Sequence, residues 1–278
     1  MKIKYLGTAA AEGIPAIFCD CDTCREAREK KGPYIRTRSQ ALIDGKLLID
    51  FNADTYYHTL KYDIELSKIK TCLITHSHDD HLYPKELSNR KPGFAHLKDN
   101  SPLNFYGSEA VFNEMKKVLF DADGKNVPYA SFTKVKPFDV FKAGEYTVSA
   151  MPARHSEKSG PLFYIIEKGG KTLLYGHDTG YYFDEVWEYF KKKKLHFDLV
   201  SLDCTEAMRH IEYVTHSNVE RDILIRKRML DEGYADGKTV FVLNHFSHNG
   251  ADVGYDKLNK NASELGFAVS YDGMEIEF

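Results

Sequence analysis

The chain has 278 residues, 42% of them hydrophobic and 28% charged, which is enough for a sizeable core. Lys plus Arg number 38 and Asp plus Glu 41, a net charge of −3 that gives no long-range electrostatic reason to expect a nucleic-acid coat protein or a polybasic membrane binder. No apolar run approaches about 18 residues, which excludes a helical membrane span.

The start, Met1-Lys2-Ile3-Lys4-Tyr5-Leu6-Gly7, reads as a strand entering a Gly turn, without the apolar stretch of a signal peptide. The expectation is a soluble, cytoplasmic protein. Three of the five Cys then crowd into Cys19-x-Cys21-x-x-Cys24. An odd, clustered set without a secretion signal argues for a metal-binding loop at about 18–31 over a disulfide framework. Residues 41–43 and 47–50 flank Asp44-Gly45, a two-residue hairpin signal. Strands follow at 71–75 and 102–106. A helix follows at 108–120, where Val111, Met115, Val118 and Leu119 form one stripe. Asp121-x-Asp123-Gly124 lacks the remaining ligands of a calcium loop and reads as a turn.

Further on, a strand at 146–151 precedes a second hairpin, 162–167 and 172–175 around Gly169-Gly170. A helix at 184–195 ends in the Lys191–Lys194 run, where cations favour the helix dipole. The remaining elements are strands at 197–203, 239–244 and 267–271 and helices at 217–232 and 252–265. Ser217 and Glu220 have capping-box spacing for the first of these helices. Cys72 falls mid-strand and Cys204 just after a strand, so core packing accounts for both. There is no repeat, linker or composition break, and the reading is one α/β domain over residues 1–278.

The chemistry concentrates in Thr75-His76-Ser77-His78-Asp79-Asp80-His81. In extended chain, residues i and i+2 point the same way, so His76 and His78 can close on one metal ion. Once the chain turns, Asp80 and His81 can reach a second ion beside it.

This HxHxDH string is a signature of the metallo-β-lactamase superfamily, which the chain resembles. The resemblance implies an αβ/βα four-layer sandwich with two central mixed β-sheets. Later family positions are matched by Ala153-Arg154-His155, by Gly176-His177-Asp178-Thr179 and by Asn244-His245-Phe246-Ser247-His248. By resemblance, His76, His78 and His155 hold one ion, Asp80, His81 and His245 hold the second, and Asp178 bridges them. Asp50 matches the Asp that braces the ligand loop, and His177 is a weaker outer candidate. Imidazole and carboxylate together suit Zn²⁺, Mn²⁺ or Fe²⁺ and leave positions open for water. Two such ions about 3.5–4 Å apart can clamp a phosphoryl group and bring a bridging water's pKa toward roughly 7.

Leu6-Gly7-Thr8 through Ile14-Pro15, with the Cys cluster behind it, is similar to the PhnP-like phosphodiesterases of the bacterial carbon–phosphorus lyase pathway. That similarity implies a structural zinc on Cys19, Cys21, Cys24 and His248, a closed tetrahedral site without an open position. His216, just before the helix at 217–232, matches an active-site His of these enzymes and of ribonuclease Z. Arg154 is a phosphate contact or a surface residue. The implied function is hydrolysis of a small cyclic phosphodiester, such as phosphoribosyl 1,2-cyclic phosphate, by a hydroxide bridging two divalent ions (Zn or Mn). Asp80 and Asp178 would hold that hydroxide and His216 would assist the departing oxygen.

The alternatives are an RNA-processing nuclease of the ribonuclease Z type and a non-enzymatic metal-binding protein. Ribonuclease Z enzymes resemble one another in a tRNA-binding arm between the third ligand His and the bridging Asp, where this chain shows only a hairpin. The expected partners are therefore a small phosphorylated substrate, with nucleic acid disfavoured. A homodimer is suggested by the resemblance. The segments 54–63, rich in Tyr, and 85–101 match no motif.

Overall fold

The computed structural model describes residues 1–278. The first half of the chain supplies β1 (Lys2–Gly7), β2 (Gln40–Ile43), β3 (Leu47–Ile49), β4 (Thr71–Leu73), β5 (Leu103–Gly107) and β6 (Ala130–Lys134). The second half supplies β7 (Val140–Ala143), β8 (Tyr146–Pro152), β9 (Leu162–Lys168), β10 (Lys171–Gly176), β11 (Leu199–Asp203), β12 (Val240–Asn244), β13 (Ala268–Val269) and β14 (Glu275–Glu277). Six helices intervene: α1 (Asp22–Lys30), α2 (Thr55–Tyr62), α3 (Glu109–Leu119), α4 (Asp184–Lys193), α5 (Val219–Asp231) and α6 (Tyr255–Glu264). The strands form two seven-stranded mixed sheets, β14-β1-β2-β3-β4-β5-β6 and β13-β12-β11-β10-β9-β8-β7. In each sheet an antiparallel half adjoins a parallel half.

Strand periodicity sorts the core into layers. Ala41, Ile43, Leu47 and Ile49 pack between the sheets against Leu162, Tyr164 and Ile166, whereas Leu42 and Leu48 face away, toward Val111, Met115 and Leu119 of α3. On the opposite outer face, Phe163 and Ile165 share a cluster with α4, α5 and α6. Both faces of each sheet are thus covered, giving the expected four-layer sandwich, and it explains why Leu162 to Ile166 is an unbroken apolar run. Each large side chain taken fully out of water contributes about 1.5–3 kcal/mol to this arrangement. No helix is long and apolar enough to cross a membrane.

Several elements differ from the sequence reading. Ile43 pairs with Leu47, so the first hairpin has a three-residue loop, Asp44 to Lys46, not two. The second has the expected two-residue loop, because Lys168 pairs with Lys171 across Gly169 (φ 59°) and Gly170 (φ 77°). Asn218, not Ser217, caps α5 by accepting from Arg221 N, while Ser217 Oγ donates to the buried Asp222. Most of the anticipated Cys loop is helix α1, which begins immediately after Cys21. The Tyr-rich segment carries α2, and β6, β7 and β14 complete the sheets at positions without a sequence signal. Asp121 forms the expected turn, its side chain accepting from the amides of Asp123 and Lys125.

Candidate metal centre

The carboxyl ends of the strands converge on one edge of the sandwich, where open α/β sheets place their ligands. Asp50 follows β3, His76 to His81 follow β4, His155 follows β8, Asp178 follows β10, Asp203 ends β11 and His245 follows β12. Asp50 (φ 67°), Asp178 (φ 50°) and His245 (φ 65°) adopt the left-handed backbone that non-glycine residues resist. The turn they make redirects Asp178 and His245 from the sheet into the common cleft and Asp50 onto the outer nitrogen of His81.

Two groups of ligand atoms meet there. His76 Nε2 lies 3.0 Å from His78 Nδ1, and His155 Nε2 lies 3.1 Å from the same atom. Beside them, His81 Nε2 is 3.3 Å from His245 Nε2, 3.3 Å from Asp80 Oδ2 and 2.8 Å from Asp178 Oδ2. Asp178 Oδ2 is also 3.0 Å from His245 Nε2, yet it is buried without a hydrogen-bond partner. Its other oxygen, Oδ1, lies 3.8 Å from His155 Nε2, on the side of the first group. Imidazole nitrogens converging edge to edge around an orphaned carboxylate make poor hydrogen bonds with one another. As a donor set they fit two divalent cations with Asp178 between them.

The outer nitrogens explain why the inner ones are free to ligate. His81 Nδ1 is 2.7 Å from Asp50 Oδ2, and Asp50 also accepts from the Thr75 backbone N–H and hydroxyl. His155 Nδ1 is 3.3 Å from the Thr215 carbonyl. His245 Nδ1 is 2.9 Å from Thr205 Oγ1. A proton held on the outer nitrogen leaves the inner lone pair for a metal. Burial pushes His76 well below the ordinary histidine range, and burial lowers His155 as well. For His81, burial is outweighed by the carboxylates of Asp80, Asp178 and Asp50, which raise it.

The sequence reading missed Asp203, which the structure makes the centre of a buried brace. Its Oδ1 accepts from the amides of Thr205 and Ser217, and its Oδ2 lies 3.3 Å from His216 Nδ1. Burial opposes protonation of His216, but Asp203 and Asp178 overcome it and push its pKa up to about 9. A signal existed: like Asp50, Asp203 is a carboxylate ending an apolar strand. His216 itself lands in the cleft, its ring centroid 4.9 Å from that of His155. His177 does not join the centre. It is buried behind it, bonded to Ser201 at 2.8 Å and near the Asn244 amide, and burial lowers it to about 3. Arg154 also turns away, its guanidinium 4.0 Å above the Phe183 ring.

A second ligand set lies apart. The sulfurs of Cys19, Cys21 and Cys24 and a nitrogen of His248 all fall within 4.8 Å of one another. Cys19 and Cys21 each place Sγ 3.5 Å from His248 Nδ1, and none of the thiols is in a disulfide. Burial would raise the Cys21 thiol, but the Cys24 backbone N–H, His248 and Cys19 together draw it down to about 6. Three sulfurs and one imidazole fit a tetrahedral zinc. Cys72 and Cys204 are buried in the core as expected.

Known proteins share this architecture. A family profile for the beta-lactamase superfamily domain matches residues 47–232. A ribonuclease Z from Listeria innocua is 24% identical over 180 residues, covering 63% of this chain and 52% of its own. The chain thus spans about half the length of the curated relatives it matches. A crystal structure of a new diphosphatase from the PhnP family superposes with a TM-score of 0.73 at 22% identity, covering 100% of this chain and 97% of the other. Zinc-bound PqqB from Methylobacterium extorquens gives 0.70 at 17% identity, with 100% of both chains covered. These likenesses show the fold. Because the curated relatives are ribonucleases, they lend no support to excluding nucleic acid.

Proposed function

The chain belongs to the beta-lactamase superfamily, and from that premise we propose that it is a two-metal hydrolase of small phosphodiesters. The observation that carries this reading is Asp178 Oδ2, a buried carboxylate oxygen without a hydrogen-bond partner, set between His81 and His245 while Oδ1 faces His155. His76, His78 and His155 would hold one ion and Asp80, His81 and His245 the other, with Asp178 shared. When bound, such ions polarise a phosphoryl group and make water nucleophilic near neutral pH. Cys19, Cys21, Cys24 and His248 would hold a zinc that stays structural.

The protein's own groups do the rest. Asp50 fixes the His81 ring through Nδ1. Asp203 holds the proton on His216 Nδ1, and the protonated imidazole stands beside Asp178, where it can donate to the leaving alkoxide. The cleft is small, about 260 Å³, and Lys and Arg are absent from its lining. Between His155 and Asp178 the chain contains only a 3₁₀ turn and the β9–β10 hairpin. Both features favour a small substrate over an RNA, whose backbone needs a cationic track.

The test is hydrolysis by the Zn- or Mn-loaded protein of bis(p-nitrophenyl) phosphate and of a dialkyl phosphodiester, with precursor tRNA in parallel. Both esters should be cleaved and the tRNA left intact. His216→Ala should cost about 100-fold with the alkyl leaving group and little with p-nitrophenolate, which departs without a proton. Unchanged alkyl turnover in that variant would remove His216 from the mechanism. Processing of precursor tRNA at low enzyme concentration would assign the site to RNA.

A further inference from the structure

The wall of the cleft facing the metal ligands has a chemistry that the proposed function leaves unused. It consists of Glu12, Glu206, Asn249 and Ser247, on the loops that follow β1, β11 and β12. Every nearby guanidinium is committed elsewhere. Arg38 donates to the Ala11 carbonyl and pairs with Asp54 at 2.9 Å. Arg154 stacks on Phe183. Arg221 donates to the carbonyls of His216, Ile211 and Glu212. Arg209 lies 3.5 Å from Glu206, whose other oxygen accepts from the Tyr213 hydroxyl.

Resting on the two-metal phosphodiesterase reading, we propose that the substrate is a phosphodiester monoanion whose ester arm is a polyol without a second phosphate. Two divalent ions offset by Asp80 and Asp178 can neutralise one phosphoryl group. A further phosphate on the arm would meet the Glu12 carboxylate and no unpaired cation, because Arg209 is held by Glu206 and the His216 imidazolium by Asp203. Hydroxyl groups meet the reverse situation. Glu12 and Glu206 accept from them, and the Asn249 amide both donates and accepts. Because Tyr213 and Arg209 already engage Glu206, it offers a hydrogen-bond acceptor more than a naked charge, which favours a neutral arm over a cationic one. Beside the cleft lining, the Tyr213 ring is 44% exposed with its centroid 6.4 Å from that of His216, which leaves an apolar face available to an arm that extends past His216. Hydrolysis of such a substrate breaks one P–O bond with one water and gives a phosphomonoester and a free hydroxyl. The reading departs from the phosphorylated sugar suggested by family resemblance.

The experiment compares ribose 1,2-cyclic phosphate with its 5-phosphorylated form on the metal-loaded protein. The unphosphorylated probe should have a kcat/KM at least about tenfold higher, and Glu12→Lys should shift that ratio about tenfold toward the phosphorylated one. Titration calorimetry with ribose 1-phosphate and ribose 1,5-bisphosphate reads the same preference without turnover, and the bisphosphate should bind no more tightly. Glu206→Gln provides a second variant should Glu12→Lys misfold, and it should shift the ratio in the same direction. Preference for the 5-phosphorylated probe, or tighter bisphosphate binding, overturns the inference. Failure of the wild-type protein to cleave bis(p-nitrophenyl) phosphate overturns the phosphodiesterase reading instead, and the calorimetry then still decides the charge preference of the cleft.

Discussion

The two candidate metal sites are built on different principles. The His/Asp cluster stands on strand ends, with His81, Asp178 and His245 buried and their outer nitrogens or neighbours tied by Asp50, Thr75, Asp203 and Thr205. The Cys cluster stands on a loop and the first turn of α1, with Cys19 and Cys21 only half-buried and few hydrogen bonds beyond Ala16 N to Cys24 Sγ. A rigid frame can hold ligands in place and still leave coordination positions open for chemistry. A loop whose three thiols and the distant His248 imidazole have little else to hold them depends on the ion to fix its shape. His245 and His248, three residues apart after one strand, connect the two.

Substitutions should separate these designs. Asp178→Asn removes the carboxylate proposed to be shared by two ions and should lower the proposed phosphodiesterase turnover by about 1000-fold or more, while circular dichroism stays native. Elemental analysis should find active-site metal depleted and the Cys-bound zinc retained. Retention of near-normal turnover would mean that Asp178 does not join the two halves. Cys21→Ser should do the reverse. Turnover should change only a few-fold, but one zinc per chain should be lost and Tm should fall by roughly 5 °C or more. An unaltered Tm and metal content would leave the Cys cluster without its structural role.

A smaller effect tests the frame alone. His58 is buried behind Asp50, its ring between Gln40 Oε1 at 2.6 Å and Thr37 Oγ1 at 2.7 Å, and Gln40 in turn donates to the Asp50 carbonyl. Burial holds its folded pKa down to about 4. The unfolded chain therefore takes up this proton first as pH falls below about 6.5, and the folded chain only near 4. The stability His58 contributes as a neutral ring is complete above about pH 6.5 and is lost across that window, up to about 3 kcal/mol. Urea unfolding of wild type and His58→Gln at pH 7 and pH 5 should show the steeper loss in the wild type. Equal losses would place the acid sensitivity elsewhere.

The proposed active-site ligands were legible because each stands in a short word at the end of an apolar run, and HxHxDH alone supplies four of the candidates. Asp203 escaped notice because two of its three partners, His216 and Ser217, lie more than a dozen residues further along the chain and meet it only once the chain is folded. Glu12, Glu206 and Asn249 are scattered over three loops and share no spacing. Helix α1 was hidden by its cysteines, whose metal-like spacing invited a loop reading, although Asp22 in the first turn and Arg28 and Lys30 in the last are ordinary helix signals. The four-layer sandwich was legible by resemblance. The edge strands β6, β7 and β14 were not, because the half-exposed β6 and β7 carry no steady alternation and β14 alternates over only three residues.

The left-handed backbone at Asp50, Asp178 and His245 bears on how this sequence can change. At those positions the main chain is best served by glycine, which adopts the conformation without penalty. Selection for thermal robustness in the absence of metal would drift toward that residue, and each such step would erase a proposed ligand or its brace. Variants recovered for endurance and variants recovered for catalysis should therefore diverge first at these three strand ends.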